Sequence, residues 1–312
     1  MSQIRVQNIT KRFNDKLVLD NISFNIEEGD VFGLIGPNGA GKSTLINIMT
    51  GLLKSNSGEV EIGGYSIAKE PLKAKEFIGL IPQELALMEQ LSGYDNLEYY
   101  GAFYGLSGKL LKERIAEALE VTGLIESRKQ KVKKYSGGMK RRLNLAAAIM
   151  HRPKILIMDE PTVGVDPQSR NYIFEYVKHI NKEDRTTILY TSHYMEEVEN
   201  LCNNIFILDL GQEIASGSIA DIKAIASIHG RINMKVDNYN DEFMLKIKKL
   251  IGVKDCFFKD DIITIYYDEN SFSLQELIQL TVDRKKNIKS FNVEEASLEE
   301  VFLSLTGKKL RD

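Results

Sequence analysis

The chain of 312 residues has no tryptophan and only two cysteines, Cys202 and Cys256. The cysteines lie far apart in sequence and form neither a metal-binding nor a redox motif, so a reducing cytosol is predicted. Long hydrophobic runs are also absent. The longest stretches without Asp, Glu, Lys or Arg cover 11 residues, whereas a membrane-spanning helix needs about 20 apolar residues. The N-terminus lacks the apolar core of a signal peptide. We therefore expect no transmembrane helix and no secretory leader.

An excess of positive charge is missing as well. The chain has 41 Lys and Arg against 44 Asp and Glu, which gives a net charge of −3. Proteins that coat nucleic acid are normally basic, so nucleic acid is not expected as a partner. The share of charged residues, 27%, and of hydrophobic residues, 43%, is that of a globular protein. The length suggests about two domains.

The first part of the chain, residues 1–228, has the pattern of an α/β fold. Apolar and polar residues alternate over 22–26 and 59–62, which predicts strands with one buried face. The runs 31–35, 155–158 and 187–190 are apolar throughout and suit a parallel sheet covered on both sides. Residues 85–152 show helical spacing instead, with Gly123 closing one helix. We expect a mixed sheet core, an antiparallel β subdomain and a helical subdomain inserted between sheet elements.

The pattern changes near residue 228, where we place a domain boundary. Residues 229–312 show the order β-α-β-β-α-β, which is the ferredoxin-like arrangement of a small α+β domain. Within it, Lys259-Asp260-Asp261 predicts a hairpin turn. A last helix is expected to begin at Ser297, in a capping box with Glu300, and to end at Gly307. This domain has no titratable cluster and no glycine-rich loop. Regulation, stabilisation of a dimer and simple packing on the first domain all stay open, and a regulatory or dimer-contact role is favoured.

A phosphate site is predicted at residues 36–43, which fit the pattern G-x-x-x-x-G-K-[ST] in full. The segment follows an apolar strand and precedes a helix, as a P-loop requires. The glycines allow backbone N–H groups to face the phosphates, and the helix N-terminus adds positive potential. Lys42 is expected to reach the β- and γ-phosphates, Ser43 to ligate Mg²⁺ and Thr44 to add a phosphate contact. The residues of this nucleotide site are Gly36, Asn38, Gly39, Gly41, Lys42, Ser43 and Thr44.

Two carboxylates end the apolar strand that finishes at Met158. Asp159 is expected to face Mg²⁺ through water. Glu160 is expected to lie beside the γ-phosphate and to polarise the attacking water. Two solvated acids at a strand end are common in isolation. They are improbable as a coincidence downstream of a complete P-loop.

The segment Tyr135-Ser136-Gly137-Gly138-Met139 carries the most specific signal. Ser136 has the position of an N-cap before two glycines and a helix, which together form an anion site. Here the chain resembles the ATP-binding cassette (ABC) family, whose signature is Leu-Ser-Gly-Gly-Gln. The resemblance covers residues 2–225. It implies that Ser136, Gly137 and Gly138 bind the γ-phosphate of an ATP held by a second cassette.

Further family elements follow in sequence order. Phe13 matches the aromatic residue that stacks on adenine, where the family usually has Tyr. Gln83 matches the Q-loop residue near Mg²⁺ and the attacking water. Asp166 matches the D-loop, which crosses the dimer interface, and His193 matches the switch histidine at the γ-phosphate. By resemblance the catalytic residues are thus Glu160, His193 and Gln83, and the metal ligands are Ser43, Gln83 and Asp159.

The chain departs from the signature at two positions, where Tyr135 replaces Leu and Met139 replaces Gln. The departure puts the fifth-position side-chain contact in doubt and leaves the contacts of Ser136 and Gly138 intact. The form Tyr-Ser-Gly-Gly-Met is typical of the ABC-2-type exporter branch, similar to the daunorubicin- and bacitracin-resistance ATPases. The ending Ala296 to Gly307 also resembles that branch.

The resemblance implies an ATP- and Mg²⁺-dependent ATPase that forms a two-fold dimer around two ATP molecules. It further implies a partner, an integral membrane permease, and a peripheral location on the cytoplasmic face of the cell membrane. The aromatic residues after Gln83 are interpreted as part of the surface that receives the permease: Tyr94, Tyr99, Tyr100, Phe103 and Tyr104. The alternative interpretation is that these rings pack inside the helical subdomain.

The motifs leave two other functions to weigh against transport. A soluble ABC ATPase acting on ribosomes or DNA usually carries two cassettes, or a cassette split by long coiled coils, and neither feature is found. A P-loop kinase needs no second γ-phosphate site, so the signature segment argues against it. The substrate is not readable from this chain, and export is implied by resemblance alone.

Overall fold

A computed structural model describes residues 2–225, 230–268, 271–295 and 297–306. The chain divides into two compact units, with the division between Ser216 and Gly217. The boundary expected at residue 228 lies outside the described residues, and the structural division comes earlier. The reason is that the helix Ile219–Ile225 packs against the last helix, Leu298–Thr306, and so belongs to the second unit.

The first unit is an α/β unit with two sheets. Its strands are β1 (Ser2–Phe13), β2 (Lys16–Glu27), β3 (Val31–Ile35), β4 (Ser57–Ile62), β5 (Tyr65–Ser66), β6 (Ile78–Ile81), β7 (Ile155–Asp159), β8 (Thr187–Ser192), β9 (Asn204–Asp209) and β10 (Gln212–Ser218), whose last residues pass into the second unit. Its helices are α1 (Lys42–Met49), α2 (Pro71–Glu76), α3 (Gly93–Phe103), α4 (Gly108–Val121), α5 (Gly137–Ile149), α6 (Pro167–Asp184) and α7 (Met195–Leu201).

The two sheets have different pairing. One is an antiparallel sheet of order β2-β1-β4-β5, and the other has the order β10-β9-β3-β8-β7-β6. Strands β9, β3, β8, β7 and β6 run parallel to one another. Every residue of β3, β7 and β8 is buried, which explains why these strands are almost continuously apolar. This confirms the predicted mixed sheet core with an antiparallel subdomain.

The helical subdomain lies between β6 and β7 in the chain, within the predicted range 85–152. Its helices α3, α4 and α5 share a core formed by Leu97, Ile115, Leu119 and Leu143 among others. Gly123 follows α4 with φ of +61°, a left-handed conformation that glycine adopts without strain, and so ends the helix as predicted.

The second unit has a ferredoxin-like arrangement. After α8 (Ile219–Ile225) come β11 (Gly230–Val236), α9 (Asp241–Ile247), β12 (Val253–Lys259), β13 (Ile262–Tyr267), α10 (Leu274–Asp283), β14 (Ile288–Glu295) and α11 (Leu298–Thr306). The antiparallel sheet has the order β12-β13-β11-β14. Asp260 and Asp261 both have positive φ in the turn between β12 and β13, as the predicted hairpin requires. Ser297 and Glu300 form the predicted capping box, whereas Gly307 lies outside the described residues.

Candidate active site

The parallel sheet brings four loops to one edge. Strands β3, β6, β7 and β8 run in the same direction, so their carboxyl ends meet there. The P-loop follows β3, Gln83 follows β6, Glu160 follows β7 and His193 follows β8. In open α/β sheets this edge is where ligands bind. Residues from four distant parts of the sequence thus share one site.

The P-loop has room only for glycine at two of its positions. A Cβ atom on Gly36 would lie 2.0 Å from the carbonyl oxygen of Leu208. Gly41 has φ of +114°, and its Cβ would lie 3.0 Å from the carbonyl oxygen of Val18. Asn38 and Gly39 are exposed at the tip of the loop. The backbone therefore turns tightly into α1, whose N-terminal end favours an anion.

Lys42 is buried at the base of the P-loop. Its Nζ donates to the carbonyl oxygens of Gly36, at 2.7 Å, and Pro37, at 3.3 Å. Nζ also lies 3.5 Å from Oε1 of Glu160. Burial lowers the pKa of Lys42, and the carboxylates of Glu160 and Asp159 oppose that shift. The ammonium group is thus held inside the loop, beside the place where phosphates would lie.

Asp159 and Ser43 meet across the site. Thr191 Oγ1 donates to the Asp159 carboxylate at 2.9 Å. Burial raises the pKa of Asp159, while the hydrogen bond from Thr191 and the nearby Ser43 hydroxyl oppose the shift. Thr44 follows Ser43 and is half-buried.

Glu160 is the centre of the cluster. Its side chain is within 3.5 Å of the Lys42 ammonium and of His193 Nδ1, and it accepts a hydrogen bond of 3.2 Å from the Gln83 amide. Its φ of +46° lies in the left-handed region, which is strained for a residue with a side chain. The backbone N–H of Glu160 donates to Thr191 Oγ1 at 2.9 Å, which fixes the strained residue.

The residues present fit a magnesium ion. The hydroxyl of Ser43 and the carboxylate of Asp159 are hard oxygen ligands, and Ser43 is near enough to lower the pKa of Asp159. The Gln83 amide donates to the neighbouring Glu160 at 3.2 Å. No group of three or more His, Cys, Asp or Glu in the described part of the chain could cage a metal by itself. Mg²⁺ typically binds through one or two protein oxygens, substrate phosphates and water, so this sparse set suits it.

Phe13 stands at the end of β1, with 47% of its surface exposed. Lys11 Nζ lies 5.0 Å from the ring centroid, which is a cation–π distance. An exposed ring face of this kind is available to stack on a planar base.

The signature segment forms a second site in the same unit. Ser136 caps α5 by accepting the N–H of Met139 at 3.2 Å. A Cβ atom on Gly138 would lie 2.2 Å from Ser169 Oγ and 2.5 Å from Asp166 Oδ2, so the D-loop packs directly on this glycine. Among the described residues no hydrogen bond or ion pair joins Ser136 or Gly138 to Lys42 or Glu160. The structure thus brings Asp166 to the signature segment and not to the P-loop.

Both departures from the family signature have a packing explanation. The Tyr135 ring is buried in the core of the helical subdomain, and its hydroxyl donates to the carbonyl oxygen of Ser127 at 2.8 Å. Met139 is partly buried and packs against the same core. Neither side chain is a polar group offered to a ligand.

Three residues at the site were not predicted from the sequence. The hydroxyl of Thr191 is hydrogen-bonded to the backbone N–H of Glu160 and to the Asp159 carboxylate. The Glu197 carboxylate accepts hydrogen bonds from hydroxyl groups in the segments beside Glu160 and His193. Arg141 is buried on α5 and donates to the carbonyl oxygens of Pro82 and Gln83 at 3.2 and 2.6 Å. The position of Thr191 two residues before His193 was a usable signal. Nothing in the sequence pattern points to Arg141.

No helix in the described part of the chain combines the length and the apolar character that crossing a membrane would need.

Comparisons with known proteins agree with the motifs. The family described as "ABC transporter" matches residues 19–163. The chain is 46% identical over 314 residues to the linearmycin resistance ATP-binding protein LnrL of Bacillus subtilis (strain 168), covering 99% of this chain and 100% of that protein. It is 32% identical to the daunorubicin/doxorubicin resistance ATP-binding protein DrrA of Streptomyces peucetius, with 99% and 94% covered.

Among solved structures, the chain resembles the ATP-binding cassette MJ0796 in a dimeric post-hydrolysis state bound to ADP and Pi. The TM-score is 0.64 and the sequence identity 28%, with 69% of this chain and 98% of that chain covered. The predicted likeness to the daunorubicin-resistance branch is thereby confirmed.

Proposed function

The chain belongs to the ATP-binding subunits of ABC transporters, which makes it an ATPase, and we propose that it energises a separate membrane permease. Relatives named for linearmycin and daunorubicin resistance support an exporter. We place the chain at the cytoplasmic face of the membrane, where ATP is available. The permease selects the transported substrate.

The P-loop binds the phosphates of ATP in this proposal. Backbone N–H groups of the loop and the start of α1 surround the phosphates, and Lys42 turns from the loop carbonyls to the β- and γ-phosphates. Thr44 adds a hydroxyl contact. Phe13 offers its exposed ring to adenine. Ser43, Asp159 and Gln83 would hold Mg²⁺, which neutralises phosphate charge when it is bound.

Hydrolysis is carried by Glu160. The single observation behind this role is that Lys42, Gln83 and His193 all contact the Glu160 carboxylate. A carboxylate in that position accepts a proton from water that is aligned for in-line attack on the γ-phosphate. Gln83 orients the water, and His193 donates to the γ-phosphate oxygens.

A second copy of the chain completes each site. Ser136, Gly137 and Gly138 form an anion site, and in the described part of the chain no hydrogen bond or ion pair joins them to Lys42 or Glu160, so they need another nucleotide. A head-to-tail dimer with two-fold symmetry places them on the ATP of the partner. The solved cassette MJ0796 is dimeric, which supports this arrangement. Asp166 packs on Gly138 and would follow the same interface.

The permease surface needs a revision of the aromatic set predicted from sequence. Tyr94, Tyr100 and Tyr104 pack against the core of the helical subdomain, which is the alternative interpretation given from the sequence. Tyr99 and Phe103 lie one turn apart on α3, with 52% and 78% of their surfaces exposed. We assign the permease contact to Tyr99 and Phe103, because exposed aromatic rings at one spot are typical of an interface.

The test uses the Glu160→Gln substitution, which keeps the size of the side chain and removes its basicity. We expect hydrolysis to stop while ATP still binds, so that an ATP-bound dimer accumulates and is seen by light scattering. Lys42→Ala is the matched control and should form no dimer, because it loses nucleotide binding. A Glu160→Gln variant that stays monomeric at saturating ATP, with and without the permease, contradicts the proposed dimer around two ATP molecules. Capture of ribosomes or nucleic acid in place of a membrane protein contradicts the transport role.

A further inference from the structure

Glu197 is a buried carboxylate that no part of the proposed mechanism uses. It lies on α7, and its side chain is 3% exposed. Its oxygens accept hydrogen bonds from Thr162 Oγ1 at 2.9 and 2.8 Å, from the Tyr190 hydroxyl at 2.8 Å and from Ser192 Oγ at 2.9 Å. Arg170 Nε lies 3.5 Å away. Burying a charge is unfavourable unless donors surround it, and here every donor comes from outside α7.

The donors flank the two reactive side chains. Thr162 lies two residues after Glu160, in the loop that follows β7. Ser192 directly precedes His193, and its hydroxyl also accepts the backbone N–H of Tyr194 at 2.9 Å. One carboxylate therefore joins the loop of Glu160 to the loop of His193.

Glu160 needs such support because of its backbone. A φ of +46° is unfavourable for a residue with a side chain and persists only where neighbouring contacts hold it. Thr191 holds the residue at its N–H, and the hydrogen bond from Thr162 to Glu197 holds the chain just beyond it. Loss of the second contact releases the loop on one side.

Arg170 extends the connection to the D-loop. Its backbone N–H donates to the carbonyl oxygen of Asp166 at 3.0 Å, at the start of α6. Its guanidinium lies 5.5 Å from the Tyr194 ring centroid, next to His193. Movement of the D-loop at a dimer interface would thus reach Glu197 and Tyr194 through one side chain.

We propose that Glu197 is a positioning residue for ATP hydrolysis: through Thr162 and Ser192 it sets Glu160 and His193 relative to each other, and through Arg170 it connects them to the D-loop. This inference rests on the roles proposed above for Glu160 and His193. Glu197 does not touch the nucleotide. Its loss should therefore change the rate of hydrolysis and not the affinity for ATP.

Two of the donors form a matched pair for the test. Thr162→Val and Tyr190→Phe each remove one hydroxyl from Glu197, and both residues are buried. Thr162 is next to the reactive loop, whereas Tyr190 lies inside β8, where its hydroxyl donates to Glu197 at 2.8 Å. We expect Thr162→Val to lower kcat at least tenfold with KM for ATP within twofold. Tyr190→Phe should keep kcat within twofold, and Thr162→Ser should restore most of it.

The measurement is steady-state ATP hydrolysis by the full-length chain, with the melting temperature of each variant recorded beside it. A purely structural Glu197 predicts that both substitutions lower the melting temperature and leave kcat per folded molecule equal, and that result overturns the proposal. Glu197→Gln is a second variant that keeps the test valid if Thr162→Val does not fold. It should also lower kcat and leave KM for ATP unchanged. Glu160→Gln is run in parallel. If Glu160→Gln still hydrolyses ATP, the proposed role of Glu160 is wrong, and the proposal for Glu197 is wrong with it. If Glu160→Gln is inactive but Thr162→Val has an unchanged kcat, only the proposal for Glu197 is wrong.

Discussion

The backbone N–H of Glu160 donates to the hydroxyl of Thr191 at 2.9 Å, and the same hydroxyl donates to the carboxylate of Asp159 at 2.9 Å. One threonine of β8 thus fixes both acids at the end of β7. The strain at Glu160 makes this contact important, because a left-handed residue persists only where its neighbours hold it.

Replacing Thr191 by Val should therefore slow hydrolysis. The change leaves the Glu160 N–H unpaired in a buried position, which costs about 1–3 kcal/mol, and we expect a fall in kcat of about tenfold or more. Thr191→Ser keeps the hydroxyl and serves as the control. Steady-state hydrolysis over a range of ATP concentrations measures the effect, and equal kcat in both variants would show that Thr191 is not needed.

The motifs pointed to Gln83, Glu160 and His193, which lie together in the structure, and gave no sign of the residues that support them. The reason is physical. Gln83, Glu160 and His193 each follow a strand of one parallel sheet, so their meeting follows from the topology. The contact of Arg141 with the Gln83 carbonyl and the contacts of Glu197 depend on how helices pack against strand ends. A single sequence carries no pattern for such packing.

The aromatic set shows a different limit. Five rings were grouped because they are near in sequence, yet α3 places them on two faces. Tyr100 and Tyr104 lie on the face of Leu97, whereas Tyr99 and Phe103 are exposed. The helical period of 3.6 residues was enough to separate them. The division between the two units depends on packing in the same way, because α8 contacts α11 and belongs to the second unit.

Tyr99 and Phe103 are predicted to be the residues that capture the permease. We expect the double substitution by Ala to reduce co-purification of the membrane protein at least fivefold and to leave ATP binding and the melting temperature unchanged, since both rings are exposed. Tyr104→Ala is the contrasting variant, because its ring stacks on His151 at 3.9 Å and belongs to the core. It should lower the melting temperature. Unchanged capture by the exposed double variant would remove this surface from the proposal.

His151 should make the stability of the first unit depend on pH. Burial lowers its pKa below the ordinary value, while its hydrogen bond of 3.0 Å with the Ile78 carbonyl oxygen opposes the shift. As pH falls below about 6.5, His151 therefore binds a proton in the unfolded chain at a higher pH than in the folded chain. The free energy of unfolding should decrease there by up to about 1.4 kcal/mol per pH unit.

The effect of His151 is isolated by comparison with His151→Gln, whose amide can still donate to Ile78. Urea unfolding at pH 7.5, 6.5 and 5.5 gives the free energies. The difference between the wild type and the variant should be constant above pH 6.5 and should shrink or reverse below it. A difference that does not change with pH would mean that His151 titrates equally in both states.

The two glycines of the signature segment should respond differently to alanine. A Cβ atom on Gly138 meets Ser169 and Asp166 at 2.2 and 2.5 Å, whereas the nearest atom to a Cβ on Gly137 is the carbonyl oxygen of Gly164, at 3.7 Å. Gly138→Ala should therefore destabilise the isolated chain by about 1–3 kcal/mol, as overpacking does. Gly137→Ala should be neutral or stabilising by up to about 1 kcal/mol, because alanine favours the helix. Thermal unfolding separates the two effects.

Both variants should lose ATP-dependent dimerisation, Gly138→Ala because the D-loop is displaced and Gly137→Ala because a methyl group meets the partner's nucleotide. Normal dimerisation of Gly137→Ala would show that this glycine does not face the second ATP.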